Sequence, residues 1–177
     1  MKQTFKALVV DKQEEQFSIE LKDLTLDDLP QEEVTIKVMY SSVNYKDGLA
    51  SIPDGNIVRS YPFIPGIDCS GIVIKSRNDR FKEGDEVIVT SYGLGVSHFG
   101  GFSEYVSVPA SWVVALPKGL TFKEAMIYGT AGFTAALSIM KLEHHGLTPD
   151  QGAVVVSGAS GGVGSVAVAM LAKKGYH

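Results

Sequence analysis

An apolar run, Val154-Val155-Val156, meets a cluster of glycines at Ser157-Gly158-Ala159-Ser160-Gly161-Gly162-Val163-Gly164. An apolar helical segment follows from Val166 to Ala172, with Lys173-Lys174-Gly175 as its stop signal. Strand, glycine turn and helix in that order read as the first βα unit of a dinucleotide-binding domain. A pyrophosphate needs backbone N–H groups close to it, and side chains at the turn would block that approach. The helix that follows presents its positive end to the phosphates. The spacing is Gly158-x-x-Gly161-Gly162-x-Gly164 rather than plain G-x-G-x-x-G. No Lys-Ser or Lys-Thr follows Gly164, so a phosphate-transfer loop is not indicated. A tight turn with no ligand is the alternative; the strand before and the helix after argue against it. Gly158, Ser160, Gly161, Gly162, Val163 and Gly164 are therefore the candidate cofactor contacts. The sequence stops at His177, soon after this unit, so most of such a domain is expected to lie beyond the chain given.

The first two-thirds reads as β-rich. Phe5 to Val10 and Phe17 to Leu21 are short strands, and Val34, Ile36, Val38 and Tyr40 alternate onto one face. Further strands are expected at 70–74, 86–90, 103–108 and 112–116. Turns at Gly66, Gly84-Asp85, Gly100-Gly101, Pro109 and Pro117 punctuate them. Many short strands with glycine turns suggest a barrel or partly open barrel. The character changes near Leu120. Thr121-Phe122-Lys123-Glu124 has the pattern of a capping box, opening a helix to about Ile127. A longer helix is expected from Ala131 to His145, ending at Gly146. The fold class is thus α/β, with a β-rich domain over 1–125 and the start of a nucleotide-binding domain over 126–177. Val154–Val156 would lack strand partners, so residues 150–177 are expected to be loosely held, dimerised or aggregation-prone.

Charge and cysteine content exclude several classes. Lys and Arg number 16 against 20 Asp and Glu, a net −4 with no basic block, so nucleic acid is not an expected partner. The longest apolar stretches look too short to span a bilayer, and MKQTFKALVVDKQEE has no apolar core of signal-peptide length. A cytoplasmic protein without a membrane partner is the expectation. The single cysteine, Cys69, gives no disulfide framework. His98, His144, His145 and His177 show no metal-ligand spacing with it or with a carboxylate, so no metal is expected.

Spacing alone makes Ser42 to Asp47 a strand-to-helix turn, with Asn44 as N-cap and Asp47 in the first turn. Lys46 reads as solvated, and Arg59 as a lone loop arginine with a weak claim on an acidic substrate group. Asp68 is expected to be buried near the site, where a carboxylate needs partners. Cys69 reads as a small core residue, and Thr130 as a helix cap.

Taken together, several stretches resemble the zinc-free quinone oxidoreductase branch of the medium-chain dehydrogenase/reductase superfamily. They are Asn44-Tyr45-Lys46-Asp47, Pro62-x-x-Pro65-Gly66-Ile67-Asp68-x-x-Gly71-x-Val73, Gly84-Asp85-x-Val87, Gly100-Gly101-x-x-Glu104-Tyr105, the run Gly129 to Ala135, and the run Gly158 to Gly164. Each is weak singly; in this order, over nearly the whole chain, they are specific. The first, second and fifth look like the acrylyl-CoA reductase-like subgroup.

The resemblance implies a GroES-like barrel followed by a Rossmann domain, a homodimer, and a chain that is the N-terminal half. It implies NADPH as cofactor and hydride transfer to an activated alkene (an enone or acrylyl thioester) or a quinone. It gives Asn44 and Tyr45 functional roles, leaves Asp47 between catalysis and orientation, and adds Tyr45, Thr130 and Thr134 as cofactor contacts. Zinc alcohol dehydrogenases of the superfamily carry Cys at the place of Asn44 and His at the place of Ile67, and neither is present. Electrophilic activation would then fall to hydrogen-bond donors. A non-catalytic binding module, or an inactive short product, is the alternative, because fold does not fix function.

Overall fold

The computed structural model describes residues 4–13 and 16–177. Glu14 and Glu15, the acidic end of the N-terminal run read for a leader, lie outside the described residues, as do residues 1–3. The chain divides into two compact units, Met1–Ile127 and Tyr128–His177.

Among the described residues the first unit is built on seven strands. β1 (Thr4–Gln13) and β2 (Gln16–Thr25) form an antiparallel pair in continuous register, Thr4 opposite Thr25. β3 (Val34–Ser41), β4 (Asp68–Ser76), β5 (Glu86–Thr90), β6 (Tyr105–Val108) and β7 (Val113–Ala115) form a second antiparallel sheet in the order β6-β3-β4-β5-β7. Period-two alternation sends Val34, Ile36, Val73, Val87, Val89, Val106, Val108 and Val113 into one buried cluster. Cys69 belongs to it as a core residue. β1 is tied by backbone to segments outside the second sheet's strands: Leu8 N–H donates to the Phe102 carbonyl, Glu104 N–H to the Lys6 carbonyl, and Val10 and Phe63 exchange both bonds. The expectation of one buried face along β3 fails at its end. The register shifts between Val38 and Tyr40, and Tyr40 turns out to solvent. Such a bulge reverses which face a side chain occupies.

The helices follow local chemistry. α1 (Tyr45–Ala50) is short and anchored by Ala50 against Val10 and Phe63. α2 (Phe122–His144) opens on the expected capping box: Thr121 N–H donates to Glu124 Oε2 at 2.8 Å, and Glu124 N–H to Thr121 Oγ1 at 3.2 Å. Its backbone is non-helical at Gly129 (φ 46°, ψ −150°), which makes it two helices in sequence. By length and composition alone α2 could cross a membrane, contrary to the reading of short apolar stretches. The break at Gly129 leaves pieces shorter than the ~20 residues a bilayer needs.

α3 (Gly162–Lys173) starts four residues earlier than the apolar pattern suggested, and Gly175 (φ +85°) ends it. Tyr176 N–H returns to the Leu171 carbonyl at 3.0 Å, closing the C-terminus. In this segment Leu171 and Tyr176 are buried with Ile139, and the Tyr176 hydroxyl lies within hydrogen-bond distance of both Glu143 Oε1 and the Leu147 carbonyl, with one proton to share between them. The expected strand Val154–Val156 does not form. Val154 N–H takes the His177 carbonyl and Val155 is exposed, since no strand lies beside them among the described residues.

Candidate functional site

Two sites carry the residues singled out in the sequence, one in each unit. The first is the N-terminus of α1. Asn44 sits in extended backbone (φ −119°, ψ 156°) and ends β3's run into the helix. Asp47 closes the turn: its Oδ2 accepts Asn44 N–H at 2.7 Å, while Oδ1 accepts Gly66 N–H at 3.1 Å and Ile67 N–H at 2.9 Å. One carboxylate thus fastens α1 to the loop before β4. Gly66 has φ +103°, and a Cβ there would lie 2.5 Å from the Phe102 nitrogen, so both conformation and packing demand glycine. Ile67, where a metal ligand would stand in a zinc enzyme, is buried.

Asp47 is buried, and desolvation outweighs its N–H donors, raising its carboxyl above the usual 3.8. A raised folded pKa means that the folded chain binds this proton more tightly than the unfolded one. The contribution to stability is therefore full below about 3.8 and is lost as pH rises through the raised value. Compared with Asp47→Asn, the wild type should be most favoured at the acid end of that window. Urea unfolding at stepped pH reads this, and an advantage that grows with pH would show the backbone donors to dominate instead. With every Asp47 oxygen engaged by N–H groups, its geometry is that of an orienting group. Cys69 is equally closed to reaction: burial, then the charge of Asp68, pushes its thiol up to about 12.

Tyr45, the first residue of α1, is 84% exposed, and Lys46 is exposed beside it. Arg59 is exposed in the loop after α1. Two hydrogen bonds that spacing could not reveal complete this end. Ser42 Oγ donates to Asp68 Oδ2 at 2.6 Å, and Asn44 Nδ2 donates to the same oxygen at 2.9 Å. The sequence flagged Asp68 as needing partners; only the pairing of β3 with β4 shows which they are.

The second site is the glycine turn. Gly158 has φ +62° with open space where a Cβ would stand. Gly164 is required by packing, because a Cβ would meet the Gly158 carbonyl oxygen at 2.2 Å. Gly161 and Gly162 are required by neither. Gly161 has φ −80°, ψ 170°, open to any residue, and nothing but ordinary contacts at 3.4 Å surround either position. Glycines that the chain's own fold does not demand fit an external group lying against the backbone. That group would meet the first N–H groups of α3, which precede any helical acceptor. Ser160, Gly161, Gly162 and Val163 are all exposed. Thr130 follows the Gly129 break, and Thr134 Oγ1 donates back to the Thr130 carbonyl at 2.7 Å. Among the described residues no group of three or more His, Cys, Asp or Glu is gathered.

Comparison with known proteins follows this geometry. The alcohol dehydrogenase GroES-like domain matches residues 30–118. The chain is 55% identical over 175 residues to the acrylyl-CoA reductase AcuI of Ruegeria pomeroyi, covering 98% of this chain and 53% of that protein. The crystal structure of Bacillus subtilis YhfP with NAD bound, a protein that bears the name of a quinone oxidoreductase, superposes with a TM-score of 0.96 at 57% identity, covering 99% of this chain and 53% of that one. The YhdH oxidoreductase of Salmonella enterica in complex with NADP gives 0.94 at 49% identity, over 97% and 53%. The chain spans about half the length of the relatives it matches.

Proposed function

Because the chain belongs to the medium-chain dehydrogenase/reductase superfamily, whose GroES-like domain it carries, we propose that it serves an NADPH-dependent reductase of activated alkenes or quinones that works without a metal. The observation that carries this is the pair Gly161-Gly162, glycines that neither backbone conformation nor packing requires. Relatives with NADP and NAD bound support the class of ligand, and NADPH is the form proposed for this chain.

When bound, the nicotinamide supplies the hydride; the chain's own residues do the rest. Ser160 to Val163 hold the pyrophosphate through the N–H groups that open α3. Reduction of an enone, thioester or quinone places negative charge on the substrate oxygen, and a fixed donor aimed at that oxygen lowers the barrier. The groups offered stand at the start of α1, Tyr45 as the exposed donor and Asn44 beside it, with Asp47 fixing the turn. Ile67 and the core Cys69 offer no Lewis-acid ligand, so hydrogen bonding carries the polarisation.

The test joins this chain to the C-terminal half that the matched relatives carry, then screens an acrylyl thioester, a small enone and a quinone with NADPH and with NADH. Turnover of at least one, indifferent to a strong chelator, is expected. Activity abolished by chelation and restored by zinc would overturn the metal-free reading, and no turnover with any of them would favour a binding module.

A further inference from the structure

The residues around Asn44 divide the labour of this site more finely than a shared set of donors. Asp68 is fully buried at the start of β4. A carboxylate only accepts hydrogen bonds, so the NH2 side of the Asn44 amide must face it, and the amide cannot flip. Ser42 spends its one hydroxyl proton on Asp68 Oδ2, so its oxygen can only accept from Asn44 Nδ2, 3.2 Å away. The Asn44 backbone N–H donates separately to Asp47 Oδ2 at 2.7 Å. Asn44 therefore turns its amide hydrogens to Asp68 and Ser42 and its backbone N–H to Asp47, so its donors are spent within the chain. The next residue, Tyr45, is 84% exposed, and its hydroxyl is free to meet a ligand.

Resting on the function proposed above, we propose that Asp68 is a positioning residue: through Ser42 and Asn44 it braces the first turn of α1 against β4, and the Tyr45 hydroxyl is the donor that this brace presents to the substrate. Asn44 then acts through Tyr45 and does not itself donate to the substrate oxygen. The distinction has a kinetic signature. A brace has nothing to present once the hydroxyl is gone, so its loss and the loss of the hydroxyl should not multiply.

The experiment is a double-mutant cycle in this chain joined to the C-terminal half of its relatives. Asp68→Asn and Tyr45→Phe should each lower kcat, by about 10- to 100-fold, less than the loss of an oxyanion donor in a hydrolase. NADPH affinity should stay within about twofold, and the double variant should turn over no more slowly than Tyr45→Phe alone. Asn44→Ala should show the same non-additivity. Effects of Asp68→Asn or Asn44→Ala that multiply with Tyr45→Phe would overturn the proposal and return Asn44 to direct contact. Should Asp68→Asn fail to fold, Ser42→Ala with Tyr45→Phe supplies the cycle.

A second readout needs no turnover. In this chain alone, the Asn44 side-chain amide should give two separated proton resonances that exchange slowly and lose that protection in Ser42→Ala. Rapid exchange of both protons in the wild type would overturn the brace. A joined protein that reduces none of the substrates, with the protected amide intact, would instead sink the proposed function and leave Asp68 as a brace without a reaction.

Discussion

Replacing Gly161 with valine is expected to leave the protein folded and to weaken NADPH binding by about 100-fold. The fold should tolerate the change because Gly161 has φ −80°, ψ 170°, extended backbone that valine adopts readily, and only the Gly158 carbonyl oxygen comes within contact, at 3.4 Å. Affinity should not tolerate it. The isopropyl group would stand over the N–H groups that open α3 and keep a phosphate from reaching them. Hydrogen bonds to a charged group are worth about 1.5–3 kcal/mol each, and roughly 1.4 kcal/mol is tenfold, so losing one or two gives the stated loss. Fluorescence titration of the joined protein with NADPH reads it directly. Gly164→Ala is the contrasting variant, since its Cβ would meet the Gly158 oxygen at 2.2 Å and the turn itself must move. Wild-type affinity in a folded Gly161→Val protein would remove the pyrophosphate from this turn.

Gly66→Ala should be among the most damaging small substitutions in the first unit, costing about 3 to 5 kcal/mol from a strained φ and an overpacked contact together. The backbone is at φ +103°, and the new methyl would lie 2.5 Å from the Phe102 nitrogen and 2.9 Å from that of Gly101. Neither neighbour can yield easily. Gly101 N–H is bonded to the Gly66 carbonyl at 2.7 Å, and Phe102 N–H to that of Pro65 at 2.9 Å. Gly84 separates the two causes. It has φ +89° but nothing within 4 Å of its Cβ position, so Gly84→Ala should cost about 1 kcal/mol, the conformational part alone. Chemical denaturation of both variants measures the difference. Equal losses would mean that the loop at 101–102 gives way and that the close approach does not matter. Because Gly66 N–H is one of Asp47's donors, the damage should reach α1 as well.

What the sequence made legible was local. The capping box at Thr121 and Glu124 is a four-residue pattern, and it forms as read. Asn44 as the residue before α1, and the helix break around Gly129, follow from single residues with narrow backbone preferences. The strands of the first unit follow from alternation, because a half-buried strand repeats every two residues. Non-local features were hidden. Tyr40 reads as buried until a bulge that only the partner strand dictates turns it outward. The Ser42–Asn44–Asp68 cluster joins groups 24 and 26 residues apart, and no spacing rule reaches across a strand pairing. Val154–Val156 has the composition of a buried parallel strand, yet a strand is defined by neighbours, and none is present among the described residues. At the glycine turn, sequence could count glycines but not sort them. Distances to a hypothetical Cβ assign Gly164 to packing and show no such demand at Gly161 and Gly162.

The stitching of β1 bears on the order in which the first unit can assemble. Leu8 bonds to Phe102, and the Lys6 N–H to the Glu104 carboxylate across a separation of 98 residues. β1, early in the chain, is thus seated late. Until residues near 63, and then those near 104, have been synthesised and have folded back, β1 and β2 are a two-stranded hairpin, which is marginal in water by itself. Contacts of such long loop closure slow folding, because the entropy of closing the chain must be met before the contact forms. The refolding transition state should therefore be rich in β3–β4–β5 pairing and poor in contacts of β1. Substitutions at Ala7 or Val9 would then speed unfolding while leaving the refolding rate nearly untouched, whereas those at Ile36 or Val87 would slow refolding itself.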